Sequence, residues 1–169
     1  MPLITILTGP SAAGKNTVGY TYARQFSEQC AVIDGDQVRG MYTQPHIAPW
    51  HGDDGLRQHQ IGVRHDALLA RSFNSLGLEV VILDVLWADL STIYRSELTG
   101  LPIRIVRLLP TLEECLRRHH QRPPSISDDE VKWTYDHTAA LTDYDRSLDT
   151  TNLSAEQVAQ WLSHTASHL

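Results

Sequence analysis

The sequence predicts an α/β domain with a doubly wound parallel sheet, and three observations lead to this prediction. Apolar segments alternate with segments of helical periodicity along the 169 residues. The later apolar segments are rich in β-branched residues and lack polar/apolar alternation, which is typical of strands buried on both faces of a parallel sheet. A glycine-bearing turn follows the first apolar segment, at the carboxyl end of a strand, where such sheets bind ligands.

Four segments are predicted to be strands. They are residues 3–7, 31–33, 79–83 and 103–109. Because helical segments lie between them, the strands are expected to be connected by right-handed crossovers.

The helical segments have recognisable faces and starting points. Residues 15–27 carry Val18, Tyr22 and Phe26 at a spacing of four. A second helix is predicted over 56–76, ending before Gly77, and its apolar face is assigned to Ile61, Leu68, Leu69, Phe73 and Leu76. Later helices are predicted to begin at capping boxes, at Thr111, Ser127 and Ser154.

Composition indicates one domain, spanning residues 1–169, with a core that needs no disulfide. The net charge is −6 and the isoelectric point about 5.8, so we expect no nucleic-acid partner. Cys30 and Cys115 stand far apart and the N-terminus is unlike a signal peptide, which favours a reduced cytoplasmic protein. Since the apolar runs are too short to cross a bilayer, no membrane association is expected.

Residues 9–17 predict a phosphate-binding loop. Glycines allow backbone N–H groups to approach an anion at a helix N-terminus, and a lysine supplies a positive charge for the β- and γ-phosphates. The residues assigned to nucleotide binding are Gly9, Ser11, Ala12, Ala13, Gly14, Lys15, Asn16 and Thr17. The alternative is a chance match to a glycine-rich turn, but strand, loop and helix occur in the required order.

One position departs from the usual loop pattern, in which Ser or Thr follows the lysine. Here Asn16 takes that position and the hydroxyl comes at Thr17. An amide oxygen is a poorer Mg²⁺ ligand, so we assign the metal to Thr17. The order GKNT resembles the GKGT of adenylate-kinase-like enzymes.

The turn after the second strand carries Asp34, Asp36 and Arg39. Two carboxylates and a guanidinium there can face the phosphates, and Asp36 is placed to take a proton from an attacking hydroxyl. The competing interpretation is that Asp34 or Asp36 only caps the following helix.

Together, GPSAAGKNT and IDGDQVR resemble the motifs of adenylylsulfate kinase. More broadly, the chain resembles the small-molecule P-loop kinases, which include gluconate kinase, shikimate kinase and chloramphenicol phosphotransferase. The resemblance covers nearly the whole chain in element order. It implies the P-loop NTPase fold with strand order 2-3-1-4-5, ATP-dependent phosphorylation of a hydroxyl, Asp36 as base or orienting group, and Arg39 contacting an acceptor or phosphate.

The third strand ends in Asp84, the arrangement of a Walker B motif. A carboxylate at this point can hold Mg²⁺ through water or orient the acceptor. Trp87 follows closely and is assigned to the acceptor pocket.

Residues 117–128 are predicted to form a short lid. In nucleotide kinases a lid closes over the triphosphate, and its arginines stabilise the transferring group and exclude water. Arg118 and Arg122 are four apart and share a face if the helix continues to Arg122, although a solvated helix end would carry the same charges. Residues 147–154 resemble the short fifth strand and the adenine-contacting turn of this superfamily, which implies that Thr151 lies near the adenine.

The segment 40–56, rich in Pro, Gly and His, is predicted to be a loop that covers the acceptor. Trp50 either stacks on a substrate or covers the core. The histidines of this region have intervals that match no zinc pattern. Arg57 and Arg64, two helical turns apart, either bind an anionic acceptor or face solvent.

The sequence therefore favours an ATP- and Mg²⁺-dependent phosphotransferase acting on a small-molecule hydroxyl. Lys15 and the loop amides hold the phosphates, Arg118 and Arg122 stabilise the transferring group, and Asp36 accepts the proton. Two alternatives stay open: a kinase for a nucleotide or nucleic-acid 5′-hydroxyl, and a non-catalytic nucleotide-binding regulator.

Overall fold

A computed structural model describes residues 1–123 and 125–166 of the chain. Its strands are β1 (Ile4–Thr8), β2 (Cys30–Asp34), β3 (Glu79–Asp84), β4 (Ile103–Leu108) and β5 (Arg146–Leu148). Its helices are α1 (Lys15–Gln25), α2 (Gly35–Gly40), α3 (Gly52–Ser75), α4 (Leu90–Glu97), α5 (Leu112–His120), α6 (Asp128–Ala139) and α7 (Ala155–Ala166). Pro124, inside the predicted lid, and residues 167–169 of the predicted domain lie outside the described residues.

All five strands are parallel and have the order β2-β3-β1-β4-β5, which confirms the predicted fold and strand order. In the centre, Ile4 of β1 is aligned with Val80 of β3 and with Ile103 of β4. The turn that leaves β1 therefore emerges between two neighbouring strands, at the edge where their carboxyl ends meet.

Each face of the sheet is covered by a separate apolar layer. Ile4, Ile6 and Ile82 belong to the layer that contains the buried residues of α3 and α4. Leu7 and Leu83 belong to the opposite layer, with buried residues of α1 and α7. Burial on both faces explains why the strand sequences lack polar/apolar alternation.

The predicted apolar face of α3 is wrong at three of its five positions, although Phe73 does pack against the core. Leu68 and Leu76 are 64% and 72% exposed, and Leu69 is also exposed. The helix instead buries small and polar residues, among them His59, Asp66 and Asn74. A buried polar cluster between α3 and the sheet, described below, sets this orientation and outweighs the apolar pattern.

The three later helices begin directly after the predicted caps Thr111, Ser127 and Ser154, and only the capping box at Thr111 is incomplete. Ser127 and Glu130 form a complete capping box at α6. At α5, Thr111 accepts a hydrogen bond from Glu114 N, but the Glu114 carboxylate instead pairs with two arginines. None of the helices in the described part of the chain is both long and apolar enough to cross a bilayer.

The helix α3 begins at Gly52, four residues before the predicted start. Asp53 and Asp54 lie in its first turn, where acidic side chains interact favourably with the helix dipole. The predicted 40–56 loop is thus shorter, since α2 ends at Gly40 and α3 begins at Gly52.

Candidate active site

The turn after β1 has the geometry of an anion-binding loop. Gly14 has a left-handed backbone (φ 96°) and is the N-cap of α1, so the first helical turn has no side-chain cap. The N–H groups of a helix's first turn have no partner within the helix. Those of α1 thus present donors and the positive end of the helix dipole at the carboxyl edge of the sheet.

Lys15 folds across this loop. Its Nζ donates hydrogen bonds to Gly9 O at 2.8 Å and to Pro10 O at 2.9 Å. Burial lowers the pKa of Lys15 to about 8, an effect opposed by the charges of Asp36 and Asp84 and reinforced by that of Arg122. These three side chains therefore lie within electrostatic reach of the ammonium group.

The loop opens into a cavity of about 530 Å³ that has two chemically different halves. The first, called the loop half, is lined by residues 11, 12 and 14–17 and by Arg122. The second, called the tryptophan half, is lined by residues 46–50, Ile126 and Trp133. Asp36, Arg39 and Asp84 also line the cavity.

Three candidate carboxylates surround this site, and their environments differ. The Asp34 side chain accepts from Asp36 N at 3.0 Å as the N-cap of α2, and from Asn16 Nδ2 at 2.9 Å. The capping interpretation therefore holds for Asp34, which lies outside the cavity lining. The Asp36 side chain is 79% exposed, whereas that of Asp84 is fully buried. Asp36 is thus the accessible carboxylate of the cavity.

Arg39 connects the two cavity carboxylates. Its guanidinium pairs with Asp36 and donates from Nη1 to Asp84 Oδ1 at 2.7 Å. The arginine reaches this position because Gly62 of α3 has no side chain: a Cβ there would lie 2.5 Å from Arg39 Cγ. Both carboxylates raise the pKa of Arg39 against the effect of burial.

Asp84 is the centre of a buried polar cluster, formed with Arg39, His59, Asp66 and Tyr94. Asp84 Oδ1 lies 2.9 Å from His59 Nε2, and the Tyr94 hydroxyl lies 3.1 Å from Asp84 Oδ2 and 2.8 Å from Asp66 Oδ2. Although burial opposes it, the charges of His59 and Arg39 hold the pKa of Asp84 below its usual range.

Asp66 has the opposite character within the same cluster. Burial and the nearby Asp84 raise the pKa of Asp66 to about 8. Its Oδ1 has no hydrogen-bond partner among the described residues. At neutral pH Asp66 is therefore a neutral acid next to an ionised Asp84.

Trp87 belongs to the core rather than to the cavity lining. Its Nε1 lies 3.3 Å from His59 Nδ1, and His59 Nε2 faces Asp84. Trp87 is 8% exposed. Through His59 it contacts the residues beneath the cavity. A contact between Trp87 and an acceptor stays a prediction.

Arg57 and Arg64 do not meet the other predicted site residues. Both are exposed and lie outside the cavity lining. Arg64 lies 3.4 Å from Glu97 of α4. The orientation of α3, which turns His59 and Asp66 inward, directs these arginines outward.

Arg118 and Arg122 separate because α5 ends at His120, before the second arginine. Arg122 lines the main cavity, whereas Arg118 lines a second cavity of about 470 Å³. Arg118 donates to Ala13 O at 3.2 Å and to Thr150 O at 2.9 Å, and it pairs with Glu114.

The second cavity continues from the phosphate-binding loop. It is lined by Ala13, Gly14 and Thr17 together with Arg118 and Thr151. Thr151, for which an adenine contact was predicted, accepts a hydrogen bond from Thr111 N at 3.0 Å through its hydroxyl, and the adenine contact stays a prediction. Arg118 therefore lies beside the predicted adenine position and in a different cavity from Arg122. Its predicted catalytic role stays a prediction.

Sequence reasoning missed the contribution of α6. Trp133 lines the tryptophan half, and the adjacent Thr134 hydroxyl accepts from Ser11 N in the phosphate-binding loop at 3.0 Å. Only the capping box at Ser127 indicated a helix here. Nothing in the sequence showed that this helix reaches a loop 123 residues away.

The donor groups fit Mg²⁺ only in part. Thr17 is exposed and lines both cavities, so its hydroxyl is available. Both oxygens of Asp84 are occupied by the contacts described above, so this side chain fits contact through water rather than direct ligation. Within residues 1–123 and 125–166, no group of three or more His, Cys, Asp or Glu side chains forms a metal site.

No protein-family model and no curated protein sequence matches the chain. Solved structures match over nearly its full length. A sugar kinase from Janibacter sp. has a TM-score of 0.74 at 16% identity, covering 96% of this chain and 92% of that one. The APS kinase of Mycobacterium tuberculosis, in complex with AMPPNP and APS, has a TM-score of 0.69 at 18% identity and covers 95% of each chain.

A third match is the shikimate kinase of Bacteroides thetaiotaomicron, with a TM-score of 0.68 at 20% identity and 98% of each chain covered. The chain therefore has the fold of the P-loop kinases.

Proposed function

We propose that the protein is an ATP-dependent phosphotransferase that transfers the γ-phosphoryl group to a hydroxyl of a small molecule. One observation carries the proposal: Lys15 and the uncapped N-terminus of α1 line the same cavity as the exposed carboxylate of Asp36. An anion site and an accessible base in one cavity are the two parts that phosphoryl transfer to a hydroxyl requires.

The loop half supplies the phosphate site. The first-turn N–H groups of α1 donate to the phosphate oxygens, and Lys15 contributes the point charge. Arg122, close enough to affect the pKa of Lys15, adds a second cation for the charge that develops during transfer. The second cavity, at Thr151, accepts the adenine.

Asp36 acts on the acceptor. Its carboxylate takes the hydroxyl proton as the acceptor oxygen forms a bond to the γ-phosphorus, and the bond to the β,γ-bridging oxygen breaks to release ADP. Asp84 is less suited to this role because it is buried and carries four hydrogen-bonding partners. Arg39 holds Asp36 over the cavity.

Mg²⁺ would neutralise the charge on the β- and γ-phosphates when bound. Thr17 is the residue that would hold it directly, and Asp84 would reach it through water. The supporting observation is that Thr17 is exposed at the border of both cavities.

Replacing Asp36 tests the proposal. ATP consumption is measured against pooled alcohol-containing metabolites and antibiotics, and the active pool is divided until one acceptor remains. We expect Asp36→Asn to lower turnover about 10²–10⁴-fold, the usual contribution of a general base. ATP affinity should stay unchanged, because Asp36 is assigned to the acceptor.

Asp53→Asn is the matched control, since Asp53 is an exposed carboxylate at the start of α3, outside the cavity lining. Wild-type turnover in Asp36→Asn would contradict the assignment of the base. ATP binding that depends on Lys15, without transfer to any pool, would contradict the enzyme and favour a nucleotide-binding regulator.

A further inference from the structure

The tryptophan half of the cavity presents an aromatic wall, formed by Trp50 and Trp133. Both side chains are half-buried and line the cavity. Their ring centroids lie 6.3 Å apart in an edge-to-face arrangement. Ile47, Pro49 and Ile126 add further apolar surface. Such a surface favours flat or apolar ligand faces.

The aromatic wall is held from behind. Trp133 stacks on His137 at 3.8 Å between centroids, and Trp87 meets it edge-on at 5.0 Å. The segment before Trp50 is held by Gln58, which donates to Pro45 O and accepts from Ile47 N, both at 2.7 Å. A preformed wall lowers the entropic cost of ligand binding.

The arginine and lysine residues of the cavity are either ion-paired or assigned to the loop half. The arginine and lysine residues among its described lining residues are Lys15, Arg39 and Arg122. Arg39 is neutralised by Asp36 and Asp84 and is 8% exposed. Arg122 lies close enough to Lys15 for its charge to lower the pKa of Lys15, and both are assigned to the loop half, where the phosphates are proposed to bind.

Acid-binding sites usually present a free arginine to the carboxylate or sulfate. Here the charged group nearest to a reacting hydroxyl would be the Asp36 carboxylate, which repels an anion. The described lining also contains two histidines, of which His46 is exposed and His119 is buried.

From this arrangement we infer that the acceptor is an uncharged molecule whose reactive hydroxyl lies beside an aromatic ring or another flat apolar face. The inference rests on the proposed function and narrows it, because it separates neutral acceptors from sugar acids, cyclitol acids and sulfated nucleotides.

Matched ligand pairs test the charge and the ring separately. Binding to the full chain is measured by calorimetry at a saturating concentration of a non-hydrolysable ATP analogue. The first pair is phenyl β-glucoside with phenyl β-glucuronide, and the second is 1-phenylethane-1,2-diol with mandelate. Methyl β-glucoside is the control that lacks the aromatic ring.

We expect each neutral member to bind at least about tenfold more tightly than its acid, and phenyl glucoside about tenfold more tightly than methyl glucoside. Equal or tighter binding of the acids, no gain from the phenyl ring, or no binding of either neutral aryl ligand would overturn the inference.

Substitutions of the two tryptophans test whether the aromatic wall is responsible for the affinity for phenyl glucoside. Trp133→Ala should lose about tenfold in affinity for phenyl glucoside, whereas Trp133→Phe should retain most of it because a ring stays in place. Trp50→Ala provides a second test in a segment that carries no helix. Trp161→Phe is the control, since Trp161 packs on the opposite face of the sheet.

The same titrations separate the two proposals. Affinity for the ATP analogue reports on the loop half and on the proposed function. If the analogue binds but the ligand pairs behave contrary to expectation, only the acceptor inference fails. If the analogue does not bind, the proposed function itself fails.

Discussion

The two halves of the cavity are built in different ways. The loop half comes mainly from one continuous segment, residues 11–17, and acts through backbone N–H groups and a single lysine. The tryptophan half combines residues 46–50 with Ile126 and Trp133, which lie some 80 positions further along the chain, and acts through side chains.

This difference decides how each half responds to substitution. A backbone site tolerates many side chains as long as the loop conformation is kept, and its proposed ligand, the triphosphate, is the same for every acceptor. A pocket made of side chains can be altered one residue at a time, so the fold of the protein does not determine which substrate the pocket binds. We therefore expect nucleotide binding to depend on Lys15 and acceptor binding to depend on the packing behind the aromatic wall.

Loss of Lys15 has the largest expected effect. Lys15→Ala should lower turnover about 10³-fold or more, because a preorganised charge at the transferring phosphate is removed. The chain has only two lysines, so Lys132→Ala is a natural control. Lys132 lies on the surface of α6 beside Asp129. Steady-state turnover and ATP affinity measure both, and equal effects in the two variants would contradict the loop-half assignment.

The wild-type protein should also show a pH dependence at this site. Lys15 is charged below its lowered pKa of about 8 and neutral above it. ATP affinity should therefore fall as pH rises through about 8, and calorimetry in buffers of different ionisation enthalpy should detect proton uptake on binding. Affinity that is constant from pH 7 to 9 would contradict the assigned pKa.

The next largest effect is expected from replacing Arg39, which connects Asp36 and Asp84. Arg39→Met should lower the free energy of unfolding by about 3 kcal/mol, because it leaves the buried Asp84 carboxylate without its arginine. Arg57→Met is the control, since Arg57 is exposed on α3. Urea denaturation measures both, and similar stability losses would show that the buried pair does not support the site.

The sequence predicted what is encoded locally. The strands, the glycine-bearing turn after β1 and the capping boxes at Ser127 and Ser154 all depend on short segments, and the structure contains them. The strand order, which joins distant segments, was implied by the family resemblance and is confirmed. Lys15 and Asp36 come together because β1 and β2 end at the same edge of the sheet.

The parts that were missed depend on long-range contacts. The orientation of α3 follows from Asp66 and His59 meeting Asp84 and Tyr94, a polar contact that an apolar pattern cannot reveal. Trp133 enters the cavity because α6 docks on the loop through Thr134. Arg57 and Arg64 had suitable spacing for an anion site, but the rotation of α3 directs them to the surface.

The protonated carboxyl of Asp66, in the buried polar cluster around Asp84, gives a smaller and pH-dependent effect. The unfolded chain releases this proton near pH 4, whereas the folded protein keeps it up to about pH 8. The folded state thus binds more protons in this interval, and Asp66 lowers stability as pH rises from 4 to 8.

Asp66→Asn removes this titration. The stability of the variant relative to the wild type should therefore increase as pH rises from about 4 to about 8, by up to about 1.4 kcal/mol per pH unit. Above pH 8 the difference should become constant. Thermal and urea unfolding at several pH values measure it, and a pH-independent difference would show that Asp66 is ionised in the folded protein.

The smallest effect concerns the helix that joins the two halves. Ser127→Ala should destabilise the protein by about 1 kcal/mol, the usual cost of losing an N-cap. Ser154→Ala removes the equivalent cap from α7, which carries no residue of the aromatic wall. The two variants should lose similar stability. If α6 positions Trp133, Ser127→Ala should also weaken acceptor binding, whereas Ser154→Ala should leave it unchanged. The same reduction in both variants would mean that acceptor affinity follows global stability rather than the placement of α6.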